Sequence, residues 1–250
     1  MNAAVASQVP PVPTDLAALC APLQRDGFAF VAAAAMRAVL LARGLERWPE
    51  FAASWDDLGL DTYMADGGRY RRRRHGAYSV GAGRIARKPQ QPHYQSRDYN
   101  PLNGGIERWF EPITESIALH PALLAVLRAG QQIFDRLTPE PVRPPAWHVE
   151  VHQFRVQAQP AQAGLPTPEG VHRDGVDWVL VLLVSRSGVK SGVTTIHDGQ
   201  RRQVGRFVLT DPFDTALVDD ARVFHGVTPI TPLDARSEGR RDVLVVTFRR

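Results

Sequence analysis

Apolar and polar positions alternate in two different ways along this chain, and the change falls near residue 140. Before it the spacing is helical. Thr14-Asp15 offers a cap for a short helix through Arg25, Asp26-Gly27 turns into a strand at 28–31, and alanine-rich 32–48 predicts a helix stopped near Pro49. Ile106, Trp109, Phe110, Ile113 and Ile117 fall near one face of a further helix. Pro121 suits the start of another, with Leu123, Leu124, Leu127, Phe134 and Leu137. After residue 146 the period becomes two or the run becomes wholly apolar. Strands are expected at 147–156, 179–184, 193–198, 206–210, 214–218, 223–225 and 242–248. Helices covering the outside of a sheet follow from this order.

Residues 1–13 hold three prolines and read as a loose arm. The expected organisation is an arm and helical flank over 1–68, then a β core over 69–250 with helices inserted at 106–138. A length of 250 residues accommodates one sizeable core, and twenty Gly with twenty Pro suit a turn-rich β fold. Cys20 is the only cysteine, so an intrachain disulfide and a thiolate metal site are both excluded. The N-terminus has no basic region followed by an apolar core, and no apolar run is long enough to cross a bilayer, which predicts a cytoplasmic protein without a membrane partner.

The net charge of +4 is modest, and only Lys88 and Lys190 among thirty basic residues are lysines. The densest charge is Arg69-Tyr-Arg-Arg-Arg-Arg-His75. Arginines beside an aromatic suit nucleic acid, but one short run without a second patch favours a wall that receives a carboxylate-bearing small molecule. In an extended chain Arg69, Arg71 and Arg73 share a face.

Chemistry concentrates at Gly170-Val-His-Arg-Asp-Gly-Val-Asp177. In extended backbone His172 and Asp174 point to the same side. His225 follows 53 positions later, and two histidines with one carboxylate form the facial triad that holds non-heme Fe(II) with positions left open. Arg241 opens the last strand, and a guanidinium grips a carboxylate with two parallel hydrogen bonds. His148, Glu150 and His152 share one face of a strand but stand roughly 13 Å end to end by strand rise, too far to meet on one ion. Adjacent His197 and Asp198 point to opposite faces and are rejected as a ligand pair. The polar loop 88–105 reads as a substrate-side lid, with Tyr94, Gln95, Tyr99 and Asn100 as candidate contacts.

Residues 147–249 resemble the Fe(II)/2-oxoglutarate dioxygenases. Val171-His-Arg-Asp-Gly-Val-Asp177, Asp219 to Ile230 and Arg241 to Phe248 are similar to the bacterial branch containing L-isoleucine dioxygenase. The likeness reaches upstream to about Tyr70. It implies a double-stranded β-helix (jelly roll) with helices on its outer face, mainly β within an α+β chain. It implies Fe(II) on His172, Asp174 and His225, with 2-oxoglutarate and dioxygen as cosubstrates. Arg241 would pair with the distal carboxylate of 2-oxoglutarate, Arg240 being the neighbouring alternative. Gln153 or Arg155 would touch the same molecule, and Thr228, near the second histidine, is a further candidate for holding it. The implied substrate is a free aliphatic L-amino acid, with Arg73 and Asp177 among the candidates for its two charges. The same chemistry on a protein or nucleic acid, and a non-enzymatic or 2-oxoglutarate-independent metal-binding jelly roll, stay open at this point.

Overall fold

The computed structural model describes residues 16–234 and 236–250; the expected arm at 1–13 lies outside them. In chain order the elements are α1 (Leu16–Asp26), β1 (Phe28–Val31), α2 (Ala33–Leu41), α3 (Trp48–Ala53), β2 (Gly59–Leu60), β3 (Arg71–Gly81) and β4 (Arg84–Arg87). Next come α4 (Glu115–Ala118), α5 (Pro121–Leu137), β5 (Ala146–Ala158), β6 (Trp178–Ser187), β7 (Val189–Ser191), β8 (Val193–His197) and β9 (Gln203–Val208). The chain closes with β10 (Thr215–Asp219), β11 (Phe224–Val227), β12 (Ile230–Pro232) and β13 (Gly239–Arg249).

An eight-stranded sheet runs β1-β10-β6-β13-β5-β3-β2, with β4 paired to β3. Opposite it lie a three-stranded sheet, β11-β8-β9, and the pair β12-β7. The strand ladders are antiparallel. This is the jelly roll expected from the sequence, and β1 and β2 carry the large sheet into the first 68 residues.

Period-two alternation divides the large sheet into two faces. Val149, Val151, Leu180, Leu182, Leu217, Leu244, Val246 and Phe248 face outward and pack with Leu123, Val126, Ile133 and Phe134 of α5 and with Met36 and Leu40 of α2 in one core. The opposite face, with His148, Glu150, His152, Phe154, Val179, Val181, Val243 and Val245, lines a cavity between the sheets. Among the described residues no helix is long and apolar enough to cross a membrane.

Two helix expectations change. Residues 106–114 are irregular, and only Glu115–Ala118 are helical. Ile106 and Trp109 are exposed, so their spacing marked no buried stripe. Pro49 does not stop a helix but lies in the first turn of α3, where its missing N–H costs nothing; α2 ends earlier, at Leu41.

The core carries one sharp steric test. Gly130 of α5 is fully buried against the Phe248 ring, and a Cβ there would stand 2.6 Å from Cζ. That ring is hemmed in by Phe134 at 4.9 Å and Trp147 at 6.2 Å between centroids. Alanine is the better helix former by about 1 kcal/mol. Overpacking should nonetheless win, so Gly130→Ala is expected to lower stability by about 1–3 kcal/mol in urea denaturation. The added change Phe248→Leu should recover part of it.

Candidate active site

His172 and His225 are brought together by backbone, not by their side chains. Each donates its N–H to the other's carbonyl at 2.9 Å, an isolated antiparallel bridge between the loop before β6 and strand β11. Residues paired this way face the same side of the ladder, and the two rings sit 4.6 Å apart. Asp174 is not in a strand. Its loop is pinned by Asp220, whose buried carboxylate accepts from the N–H groups of Asp174 at 3.0 Å, Gly175 at 2.8 Å and Val176 at 3.2 Å. Gly175 has φ +79°, with the Tyr99 ring where a Cβ would stand.

The tautomers follow from these neighbours. His172 Nδ1 donates to the Gly170 carbonyl at 3.0 Å, which leaves the Nε2 lone pair pointing inward. His225 Nδ1 faces Asp220 Oδ1 at 3.8 Å, without a hydrogen bond, and its Nε2 is turned toward Asp174. Inward, Asp174 Oδ1 is 3.6 Å from His172 Nε2, and Oδ2 is 3.4 Å from His225 Nε2. Neighbouring ligands at right angles on ~2.1 Å bonds stand roughly 3 Å apart. The donor set and its spacing therefore fit one divalent ion, held by His172, Asp174 and His225.

Burial alone would lower the His172 imidazole, but the hydrogen bond and charge of Asp174, with Glu169 nearby, raise it to about 9. Burial alone would raise the Asp174 carboxyl, but the two imidazoles hold it well below the ordinary range.

Gln95 steadies the carboxylate from the other side. Its Oε1 accepts from Arg108 Nη2 at 2.8 Å and Asn100 Nδ2 at 3.2 Å. A guanidinium has no acceptor, so this end must be the oxygen, and the Nε2 end donates to Asp174 Oδ1 at 3.1 Å. At the cavity floor lies Arg241, 2% exposed, with Nε and Nη2 unpartnered. Burial, with Arg186 nearby, pushes it down to about 10, so it stays a cation at neutral pH. A buried cation with unmet donors is costly until an anion arrives. Arg240 points to the opposite face, half-exposed, beside Asp56 and Asp242.

The 2OG-Fe dioxygenase family profile matches residues 52–247. The chain belongs to this family. L-isoleucine-4-hydroxylase from Bacillus thuringiensis is 29% identical over 157 residues, a match that spans 62% of this chain and 64% of that enzyme. The 3(1)-hydroxy-L-isoleucine 4-dioxygenase of Pantoea ananatis is 25% identical over 91% of this chain and 94% of its own length. Among solved structures, a bsmA homologue from Methylobium petroleophilum superposes with a TM-score of 0.85, at 36% identity over 96% of this chain and 94% of its own. The dioxygenase thus uses Fe(II), 2-oxoglutarate and dioxygen.

Some of the residues singled out in the sequence line the cavity of this dioxygenase and others do not. Arg73, Tyr94, Gln95 and Asn100 line it, along with Arg241 and the triad. Gln153 and Arg155 do not, which corrects their expected contact with 2-oxoglutarate. They continue the Val149 and Val151 face of β5, where Gln153 donates to Ser54 Oγ at 2.8 Å and Arg155 grips Asp242 with two 2.8 Å bonds. Thr228 is also corrected: it does not line the cavity, and its hydroxyl accepts from the Val193 N–H at 2.9 Å, tying the end of β11 to the start of β8. Asp177 is engaged by Arg250 at 2.6 Å, and Tyr99 packs over Gly175 instead of entering the cavity.

The strand face set aside as a metal decoy is more built than its spacing showed. His75 from β3 and His93 from the lid loop join Glu150 and His152, with one donor atom of each within 4.8 Å of the others. Glu150 Oε2 lies 2.5 Å from His93 Nδ1, 3.5 Å from His152 Nε2 and 3.7 Å from His75 Nε2, while Oε1 is 3.6 Å from His148 Nε2. Lys88 Nζ donates to His148 Nδ1 at 2.7 Å, and Arg73 Nη2 donates to His152 Nδ1 at 2.6 Å. In both neutral rings the proton is therefore on Nε2, facing Glu150, where a metal would need a lone pair. Burial would raise the Glu150 carboxyl, but the surrounding imidazoles hold it far below the ordinary range. Burial keeps His93 and His152 neutral. The cluster is an ionised carboxylate hydrogen-bonded to His93 and surrounded by three more imidazoles at 3.5–3.7 Å.

The raised His172 gives a pH dependence with a definite sign. Below about 9 an entering ion must displace a proton from that imidazole. Anaerobic Fe(II) titrations should show apparent affinity falling roughly tenfold per pH unit of acidification below that value. A flat profile from pH 8.5 to 6.5 would contradict the assigned ligand.

Proposed function

We propose that this dioxygenase hydroxylates an unactivated C–H bond of a free aliphatic L-amino acid. The observation that carries the reading is one cavity holding both the His172–Asp174–His225 triad and the buried, unpartnered Arg241. Fe(II), with 2-oxoglutarate and dioxygen, supplies the oxidising power, and succinate and carbon dioxide are the co-products. What the chain contributes is position, dryness and charge.

His172 and His225 present Nε2, and Asp174, fixed by Asp220 and Gln95, presents its carboxylate. Arg241 offers two free N–H donors to the distal carboxylate of 2-oxoglutarate. Val179, Val181, Val243 and Val245 line the same space and exclude water from it. No side-chain base is required. The arginine run favours a small substrate. Arg71 and Arg73 are buried in the cavity wall, Arg71 against Asp61 at 2.8 Å and Arg73 between the Phe110 and Phe154 rings at 3.6 and 4.3 Å. Two relatives named for isoleucine hydroxylation support the substrate class.

The test is succinate release by Fe(II)-loaded protein given 2-oxoglutarate, air and the twenty amino acids singly. One or a few aliphatic amino acids are expected to stimulate succinate and to gain one oxygen atom in mass. Stimulation only by a protein or nucleic acid would overturn the substrate class. His172→Ala, Asp174→Ala and His225→Ala should each abolish stimulated succinate while keeping the wild-type thermal midpoint to within a few degrees.

A further inference from the structure

The cavity wall carries more charge than the metal and 2-oxoglutarate use, and most of it is already engaged. Arg71 is bonded to Asp61. Arg73 gives its Nη groups to Asp61 and His152 and packs on two aromatic rings, leaving its Nε unpartnered. Glu150 is ringed by imidazoles. Two further buried groups, of opposite sign, also keep unmet atoms. Arg108 is 2% exposed and gives Nη2 to Gln95, but its Nε has no partner. The Glu169 side chain is 8% exposed, with Oε1 3.5 Å from His172 Nε2 and Oε2 without a partner. Both line the cavity, and they come from different segments of the chain. Arg108 stands just past the loop 88–105 and its backbone pairs with His93, while Glu169 ends the loop that leads into His172.

We propose that Arg108 and Glu169 form a clamp for the two charges of a free α-amino acid, the carboxylate on Arg108 and the ammonium on Glu169. The proposal rests on the amino-acid reading above and names the residues that would give it. Three arguments support it. Buried ionic groups left with unmet hydrogen-bonding atoms are unfavourable, and a zwitterion satisfies both at once. The charge of Glu169 already acts on the Arg108 guanidinium, so the two share one field. Each end also touches the metal site: Glu169 beside His172, and Arg108 through Gln95 to Asp174. A substrate held at both ends sits next to the triad with its side chain as the free part.

The experiment is anaerobic calorimetry on Fe(II)- and 2-oxoglutarate-loaded protein. The twenty amino acids are titrated singly, and the tightest is followed with its carboxamide and its deaminated acid. These three ligands are then measured on wild type, Arg108→Gln and Glu169→Gln, with thermal midpoints to confirm folding and Arg108→Lys as a second, charge-retaining variant. Glu169→Gln should weaken the amino acid roughly 30-fold or more yet leave the deaminated acid unchanged. Arg108→Gln should weaken the amino acid and the deaminated acid but leave the carboxamide unchanged, and Arg108→Lys should recover part of the loss. Equal weakening of all three ligands would mean a merely structural role and overturn the clamp. Wild-type affinity in both neutral variants would also overturn it and leave the amino-acid reading standing. No binding of any amino acid to wild type would overturn both.

Discussion

Two reciprocal hydrogen bonds between His172 and His225 hold the rest of the site in place. They join the loop before β6 to β11, and so tie the large sheet to the small one at the cavity. Because the link is main-chain, it fixes where both imidazoles start without using either side chain, and their Nε2 atoms face the same point beside Asp174. Asp220 then fixes the third ligand by collecting three backbone N–H groups of the following turn. The triad is thus assembled by peptide groups and one buried carboxylate before any metal enters. The cost is like charge at close range: Asp174, Asp220 and Glu169 crowd a site that only protons or a cation relieve.

The same economy runs along the cavity wall. Alternation on β3 and β5 places Arg71, Arg73, His148, Glu150 and His152 inward, where charge is expensive, and each is offset by a specific partner. Their opposite faces hold Tyr78, Val80, Val149 and Val151 against the helices. One sheet therefore carries an apolar core on one side and a polar, arginine-rich interior on the other. Arg241 lies on the polar side one residue from Asp242, which lies on the other, and a one-residue slip would exchange them.

Much of this was legible in the sequence, for a physical reason. A motif such as His172-x-Asp174 followed by a buried strand states local geometry, and Arg241 opening an alternating strand states a face. The choice between Arg240 and Arg241 needed only to know which side was inward. Gln153 and Arg155 failed for the same reason in reverse, since alternation defines two faces but not which one meets the cavity. Thr228 and Asp177 were judged by closeness in sequence, while their partners, Val193 and Arg250, come from 35 and 73 residues away. The Glu150 cluster was hidden because two of its imidazoles, His75 and His93, arrive from other segments. Glu169 had a local signal, lying three residues before His172. Arg108 had none, because its place in the cavity wall depends on its segment pairing with His93.

We propose that the triad, through its ion, and Arg241 hold one 2-oxoglutarate between them. The direct measurement is calorimetric titration of 2-oxoglutarate into anaerobic protein, with and without Fe(II), for wild type, Arg241→Met and Arg240→Met. One molecule should bind per chain, only tightly when iron is present, with roughly 30-fold or greater loss in Arg241→Met and none in Arg240→Met. Binding that ignores the iron, or that survives the loss of Arg241 unchanged, would contradict that assignment.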